Sequence, residues 1–329
     1  MCGVGAVGSR AARQLASSPE VTRLIVADRE AERAEAVARA LGPVAEQRPW
    51  HPDLLRDADA VLVAGPLRKA AAVQTLIGAL RDGVSVVSVS DRVPDVQALL
   101  GLDSAAKSGG AVMVVGAAMA PGLTDVLARL AARDLDTVEE IHVAKLGTGG
   151  PACAREHHRV FGDEAIDWRD GEWVGRAGGS GRELVWFPDP VGGRDCYRAG
   201  LCDALLLVPA FAGVQRVTAR VAATRRDRLT AAWPMLRPPH PEGEVGAVRV
   251  EVRGRRGQAR EVVVLGGIDR PAVAAGAVAA VSVLWAIGGA MRGPGAGGLA
   301  SLLPEPGPFL AELARRGVKA AVFEGAGAV

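Results

Sequence analysis

The feature that most constrains this chain is "MCGVGAVGSRAARQLA" at its start. Gly3, Gly5 and Gly8 give G-x-G-x-x-G. In a dinucleotide-binding fold the first glycine permits a tight turn. The second lets a pyrophosphate approach the backbone, and the third lets the following helix pack on its strand. Ser9 to Ala16 reads as that helix, with its free N–H groups turned toward the phosphates. "VTRLIVADRE" then reads as a strand ending in Asp28, about 20 residues on, where a carboxylate meets the adenosine ribose hydroxyls. Further on, "REAERAEAVARAL" and "RKAAAVQTLIGALRDG" read as helices, and "ADAVLVAGP", "VSVVSVSD" and "AVMVVGA" as strands. Strand and helix alternating over short connections predict an α/β fold with a doubly wound, Rossmann-type parallel sheet. Its ligand crevice lies over the C-terminal ends of the strands. Ala6 and Val7 in the glycine loop, Gly65 and Pro66 after one strand and Asp91 after another are therefore expected against the cofactor.

The fingerprint normally follows a strand of about five residues, yet only Met1 and Cys2 precede Gly3. Either the first strand is abbreviated or the native chain starts upstream of Met1, and the second is the favoured expectation. Asp28 repels a 2′-phosphate, which favours NAD over NADP as cofactor. Arg29 and Arg33 stand close enough in sequence to clamp that phosphate instead.

Composition excludes several classes. A net charge of +2 over 329 residues and only 4% aromatics argue against a nucleic-acid surface. Length suits two domains. Four cysteines without a CxxC pair fit reduced thiols in a cytoplasmic protein, and no leader segment is seen. The run Ala272–Met291 is long enough for a membrane span, but its Ala, Gly and Val content, after a Pro271 helix start, suits a buried helix. No membrane partner is expected.

With "GVGAVGSRAARQLA", "IVADRE", "VSVSD" and "GAAMAPGLTDVLARLAA" on the page, the chain resembles the saccharopine dehydrogenase family. "ADRE" is similar to that family's stretch after the second strand, and Gly116 with Pro121–Thr124 to its G…PGLT element. "GEVGAVRVEVRGRRG", "DRPAVAAGAVAA" and "FLAELARRGVKAAVFEG" resemble its later hairpin, returning helix and closing helix and strand. The resemblance implies a cofactor domain of residues 1–122 completed by residues 270–329. A central α+β domain, residues 123–269, carries substrate and oligomer contacts. It also implies hydride transfer, with NAD(P), at a C–N bond between an amino acid and a carbonyl partner. A homodimer is the default for such enzymes.

Two stretches are chemically loaded. "KLGTGGPACAREHH" holds Lys145, Cys153, Arg155, His157 and His158. "GGSGRELVWFPDPVGGRDCYRAG" holds Arg182, Asp195, Cys196, Tyr197 and Arg198, and its "WFPDPVG" with Tyr-Arg resembles the family's stretch before the substrate face. Imine reduction needs a proton at nitrogen, and histidine titrates near neutrality. His157, His158, Tyr197 and Lys145 are the candidate acid–base groups, and Arg155, Arg182 and Arg198 the candidate carboxylate partners. Each of these has a bland alternative as a surface charge, structural imidazole or core aromatic. Cys153 and His157, at i and i+4, share a helix face, but the third zinc ligand would have to come from Cys196 or Asp195, so no metal is expected. Two further readings remain open: a dinucleotide sensor or scaffold without turnover, and an aldehyde chemistry using Cys153 as thiolate.

Overall fold

The computed structural model describes residues 1–67, 70–230, 233, 235, 239–240 and 243–322. Five short strands come first: β1 (Leu24–Val26), β2 (Ala45–Gln47), β3 (Ala60–Val63), β4 (Ser85–Ser88) and β5 (Val112–Val115). Between and around them lie α1 (Ala6–Ala16), α2 (Ala31–Leu41), α3 (Ala70–Arg81), α4 (Val93–Leu100) and α5 (Asp103–Gly109). The strands are apolar runs because both faces of the sheet are covered. Leu62, Val87 and Val114 enter one core with Ala11 and Leu15 of α1, while Val61, Val86 and Met113 enter a second with Leu76 and Leu80 of α3. Residues one apart fall into different cores, which is a doubly wound sheet.

The strand missing from the sequence is a stub. Cys2 bridges Ala27 on one side and Val63 on the other, both in parallel. Its N–H donates to Leu62 O and its carbonyl accepts from Ala64 N–H, each at 2.8 Å, and Gly3 N–H donates to Ala27 O at 2.8 Å. One residue thus fills the middle rung, and the sheet reverses direction beside it, at the switch point where such sheets bind ligands.

After α6 (Leu123–Ala131) comes a second sheet. It contains β6 (Thr137–Leu146), α7 (Pro151–Arg159), β7 (Ala165–Arg169), β8 (Glu172–Arg176), β9 (Glu183–Phe187), β10 (Gly192–Tyr197), α8 (Asp203–Leu207), β11 (Arg216–Ala222), α9 (Arg225–Leu229), β12 (Gly246–Arg256) and β13 (Ala259–Asp269). Then follow α10 (Pro271–Ile287), β14 (Gly295–Gly297), α11 (Leu299–Leu302), α12 (Pro306–Arg315) and β15 (Ala320–Val322). β14 pairs in parallel with β5 and so extends the first sheet, whereas β15 pairs with β13 of the second. The second sheet runs β15–β13–β12–β6–β11–β10–β9, with the β7–β8 hairpin also on β11. "VEEIHVAKLG" forms most of β6, and "AVRVEVRG", inside the stretch that resembles the family's later hairpin, lies in β12 and alternates along its length. Strand period 2 sorts the faces. Ile141, Val143, Val217, Val221, Val248 and Val250 join the main core. Glu140, His142, Arg249, Glu251 and Arg253 lie on the other face, linked by ion pairs and, between His142 and Glu140, by a hydrogen bond.

The β7–β8 hairpin was not anticipated, although Asp170-Gly171 marks it. Both residues have positive φ, 53° and 85°, as a two-residue primed turn requires. The Ala-rich run after Pro271 is α10, buried for most of its length against α1. Gly276 makes that approach feasible, since a Cβ there would come within 2.6 Å of Arg10 Cβ. Among the described residues no helix is long and apolar enough to cross a membrane.

Candidate active site

The glycine corner is built from backbone. Gly5 caps α1, whose first N–H groups have no partner inside the helix. Gly3 has φ +96°, and a Cβ there would sit 3.0 Å from Ala64 O; a Cβ on Gly8 would sit 2.0 Å from Gly3 O. Both must be glycine for the loop to fold against β3. Gly5 differs: a Cβ there would meet nothing within 4 Å, nor would one on Gly65. The second glycine therefore answers no packing demand inside the protein and leaves room for a ligand, as a diphosphate cradle requires. Asp28 closes the corner. Its half-buried carboxylate accepts from Val4 N–H at 2.8 Å and from Glu30 N–H at 3.0 Å. Arg33 is paired with Glu30, while the Arg29 side chain is 78% exposed. The residues fit a dinucleotide, and this first sheet is a NAD(P)-binding domain.

A side-chain cluster lies across the junction. Lys145 continues the row Ile141–Val143 along β6, so alternation turns it toward the first domain. Its Nζ donates to Asp91 Oδ2, beyond the end of β4, and to Ala120 O, both at 3.3 Å. Burial alone would lower the Lys145 pKa, but Asp91 and Asp203 outweigh it and the ammonium is held above its ordinary value. An ammonium has three donors. Two are taken here, and the third is available to a ligand.

The 147–150 loop leads from β6 into α7 and touches the glycine corner. A Cβ on Gly149 would lie 3.4 Å from a Val7 methyl. Arg92 bolts α7 down, with Nε 2.8 Å from Glu156 Oε1 and an Nη 3.2 Å from the buried Asp95. Asp95 in turn accepts from Ser90 Oγ at 2.8 Å and Leu67 N–H at 3.2 Å. This arginine, absent from the expected set, ties the two halves of the site. Its sequence neighbourhood, directly after Asp91, was the only signal.

α7 brings His157 to the cluster but not as an imidazole that titrates near neutrality. Burial and the Lys145 ammonium lower its pKa to about 4, against the opposing pull of Asp91 and the Ala222 carbonyl. His157 stays neutral. Burial pushes the Cys153 thiol up to about 11, with Asp91 adding to the effect, so a thiolate attacking an aldehyde is disfavoured here. Among the described residues no three His, Cys, Asp or Glu side chains are grouped to hold a metal. Cys196 lies elsewhere, in a small core with Val185 and Phe187.

The remaining expected residues have other partners. His158 Nε2 meets two carbonyls, Thr230 O at 2.8 Å and Trp233 O at 3.0 Å, so it donates and anchors the segment after α9. Tyr197 is 1% exposed in the main core. Arg198 Nε lies 3.2 Å from Asp167 Oδ2, and its guanidinium fills the space that the missing Cβ of Gly181 leaves. Arg182, 59% exposed, pairs with Asp195 at 3.0 Å. Arg155 is exposed on α7. Tyr197 is thus buried with the Arg228 guanidinium over its ring and His158 faces backbone carbonyls, which favours positioning over acid–base roles for both. The structure withdraws Arg182 and Arg198 from substrate roles because each faces an acid of its own chain, and Arg155 because it points to solvent. Beneath the cluster, Asp125 and Asp203 are fully buried. Burial raises both pKa values, and for Asp125 the neighbouring Asp203 adds to this.

The comparisons agree with the fold. Residues 1–92 match the family described as NADP oxidoreductase, coenzyme F420-dependent. A "probable dehydrogenase" from Thermotoga maritima shares the fold, with 12% identity, 98% of this chain and 97% of that one covered, and a TM-score of 0.51. The DAP dehydrogenase of C. glutamicum, solved in complex with DAP, shares it with 15% identity, 96% and 98% covered, and a TM-score of 0.50. No curated protein matched the sequence. The chain has the two-sheet fold of dinucleotide-binding dehydrogenases. The resemblance to saccharopine dehydrogenases is narrowed to that coarser class, since neither structure is described as one.

Proposed function

We propose that this protein is an NAD(P)-dependent oxidoreductase acting at a C–N bond of an amino-acid-like substrate, the chemistry of the saccharopine dehydrogenase type. The observation that carries the reading is the part-buried Lys145–Asp91 pair, set just past the C-terminal end of β4 in the sheet that carries the glycine corner. Bound nicotinamide would supply or accept the hydride. In the reducing direction the imine carbon gains that hydride and the nitrogen gains a proton, giving the amine. Lys145 offers its third N–H to that nitrogen, gives up a proton, and regains one from solvent. Neutral His157 offers a hydrogen-bond acceptor to the carbinolamine hydroxyl, and the proton released as the carbinolamine forms passes to solvent. Asp91 keeps the ammonium aimed. NAD is favoured over NADP because the Asp28 carboxylate, fixed by two N–H groups, stands where a 2′-phosphate would be placed.

The test is nucleotide binding followed by turnover. NADH fluorescence should change on binding to the purified protein, and amines paired with 2-oxo acids should oxidise it. Lys145→Met should reduce oxidation about 10²- to 10⁴-fold and leave binding intact. One observation favours a second reading, a nucleotide-binding sensor: an ammonium held this firmly by acids resists giving up its proton. That reading expects NADH binding with no oxidation across the whole panel.

A further inference from the structure

The three arginines expected to grip a carboxylate are paired with acids or turned to solvent, yet an amino-acid-like substrate needs a cation. Two others fill this gap. A cavity of about 250 Å³ is lined by Phe161, Gly178, Gly179, Arg225 and Arg228. It has room for a substrate's acidic end but not for a dinucleotide. The Arg228 guanidinium lies over the Tyr197 ring, with Cζ 4.1 Å from its centroid. Because Tyr197 is immobilised in the core, the guanidinium is held in place by a rigid surface. The Arg228 Nε is buried without a hydrogen-bond partner. Gly179 leaves the space beside it open, since a Cβ there would approach that nitrogen to 3.5 Å. Among the described residues, neither Arg225 nor Arg228 lies within ion-pair distance of an acid. A buried donor without an acceptor is costly, and a guanidinium edge is shaped for a two-oxygen anion.

The cavity adjoins the reaction centre. Phe161, one of its walls, meets the His157 ring edge to face, with centroids 5.8 Å apart. The anchor made by His158 holds the segment that carries both arginines. We propose that Arg228, assisted by Arg225, binds a carboxylate of the substrate in this cavity, one aromatic ring away from His157. The proposal rests on the oxidoreductase reading for its substrate class. It assigns Tyr197 the part of platform, and it makes the single tyrosine and His158 positioning residues.

The experiment is calorimetric titration with glutarate, 2-oxoglutarate and L-glutamate, with and without saturating NADH, beside a fluorescence titration of NADH alone. The wild type should bind at least one of these carboxylates, and glutaramide should not bind. Arg228→Gln should weaken the carboxylate roughly 10- to 100-fold, as expected for loss of a charge-assisted pair, and leave NADH affinity unchanged. Arg228→Lys, which keeps charge and bulk, should recover little, because it lacks the planar fork. Tyr197→Phe retains the ring face and should bind like wild type. Carboxylate binding that is absent in the wild type, or equal in wild type and both Arg228 variants, would overturn the proposal. Loss of NADH binding with carboxylate binding intact would overturn the cofactor reading and leave this one standing.

Discussion

The glycine corner and the lysine cluster are made in opposite ways. The first is backbone, contiguous in sequence, and works because side chains are missing. The second is charge, gathered from β4, β6, α7 and α8, and works because water is missing. A site of the first kind tolerates pH and fails on a methyl group. A site of the second kind tolerates small changes of shape and fails on a change of charge.

The largest expected effect tests the glycine corner. Gly8→Ala places a methyl 2.0 Å from Gly3 O. Relief requires moving backbone, so the loss should be several kcal/mol, about 3 or more, read as a collapse of Tm. Gly5→Ala meets nothing within 4 Å. It should leave Tm within a few degrees and still reduce NADH affinity. Equal stability losses in the two variants would break the distinction.

In the lysine cluster, Lys145→Met should reduce turnover about 10²- to 10⁴-fold, the range for a positioned acid. NADH affinity should hold, checked by fluorescence.

The pH dependence comes next in size. His157 has a folded pKa of about 4 against an ordinary 6.5. The folded state binds fewer protons than the unfolded, so stability is full above pH 6.5 and declines as pH falls toward 4. The drop is about 3 kcal/mol. His157→Phe, which keeps the ring against Phe161, should flatten that part of a Tm-versus-pH curve. Asp125 has the opposite sign. Its raised pKa favours the folded state at low pH, and that advantage is lost as pH rises. Asp125→Asn should therefore raise Tm, and more at pH 8 than at pH 5.

The smallest effect sharpens the cofactor assignment. Asp28→Ser keeps an acceptor for Val4 N–H and removes the charge. It should shift the NAD-to-NADP affinity ratio toward NADP by roughly tenfold, a change of about 1.4 kcal/mol.

Much of the first domain was legible because its signals are local. Gly3, Gly5 and Gly8, the apolar strands and Asp28 all lie within a few turns of what they touch. Even the absent first strand was noticed, although only the hydrogen bonds of Cys2 to β3 and of Gly3 to Ala27 show how one residue fills its place. In the second sheet, the stretch "GEVGAVRVEVRGRRG" pointed to the β12–β13 hairpin, but nothing pointed to the short β7–β8 hairpin, whose faces are mixed. The site residues were harder. Lys145 and His157 were named from a crowded stretch, but nothing nearby in sequence said that Asp91, 54 positions away, would meet that lysine. Arg182 and Arg198 carried the right chemistry and were neutralised by Asp195 and Asp167, while Arg228 lies in the arginine-rich run 225–228, which no motif marked out.

The sequence by itself determined the class of fold and the corner where a diphosphate is held, because glycine spacing and strand periodicity act over a few residues. Tertiary structure alone decided which charges survive into the crevice. A charge is defined by its nearest opposite partner and by the water removed around it, and here both come from distant parts of the chain.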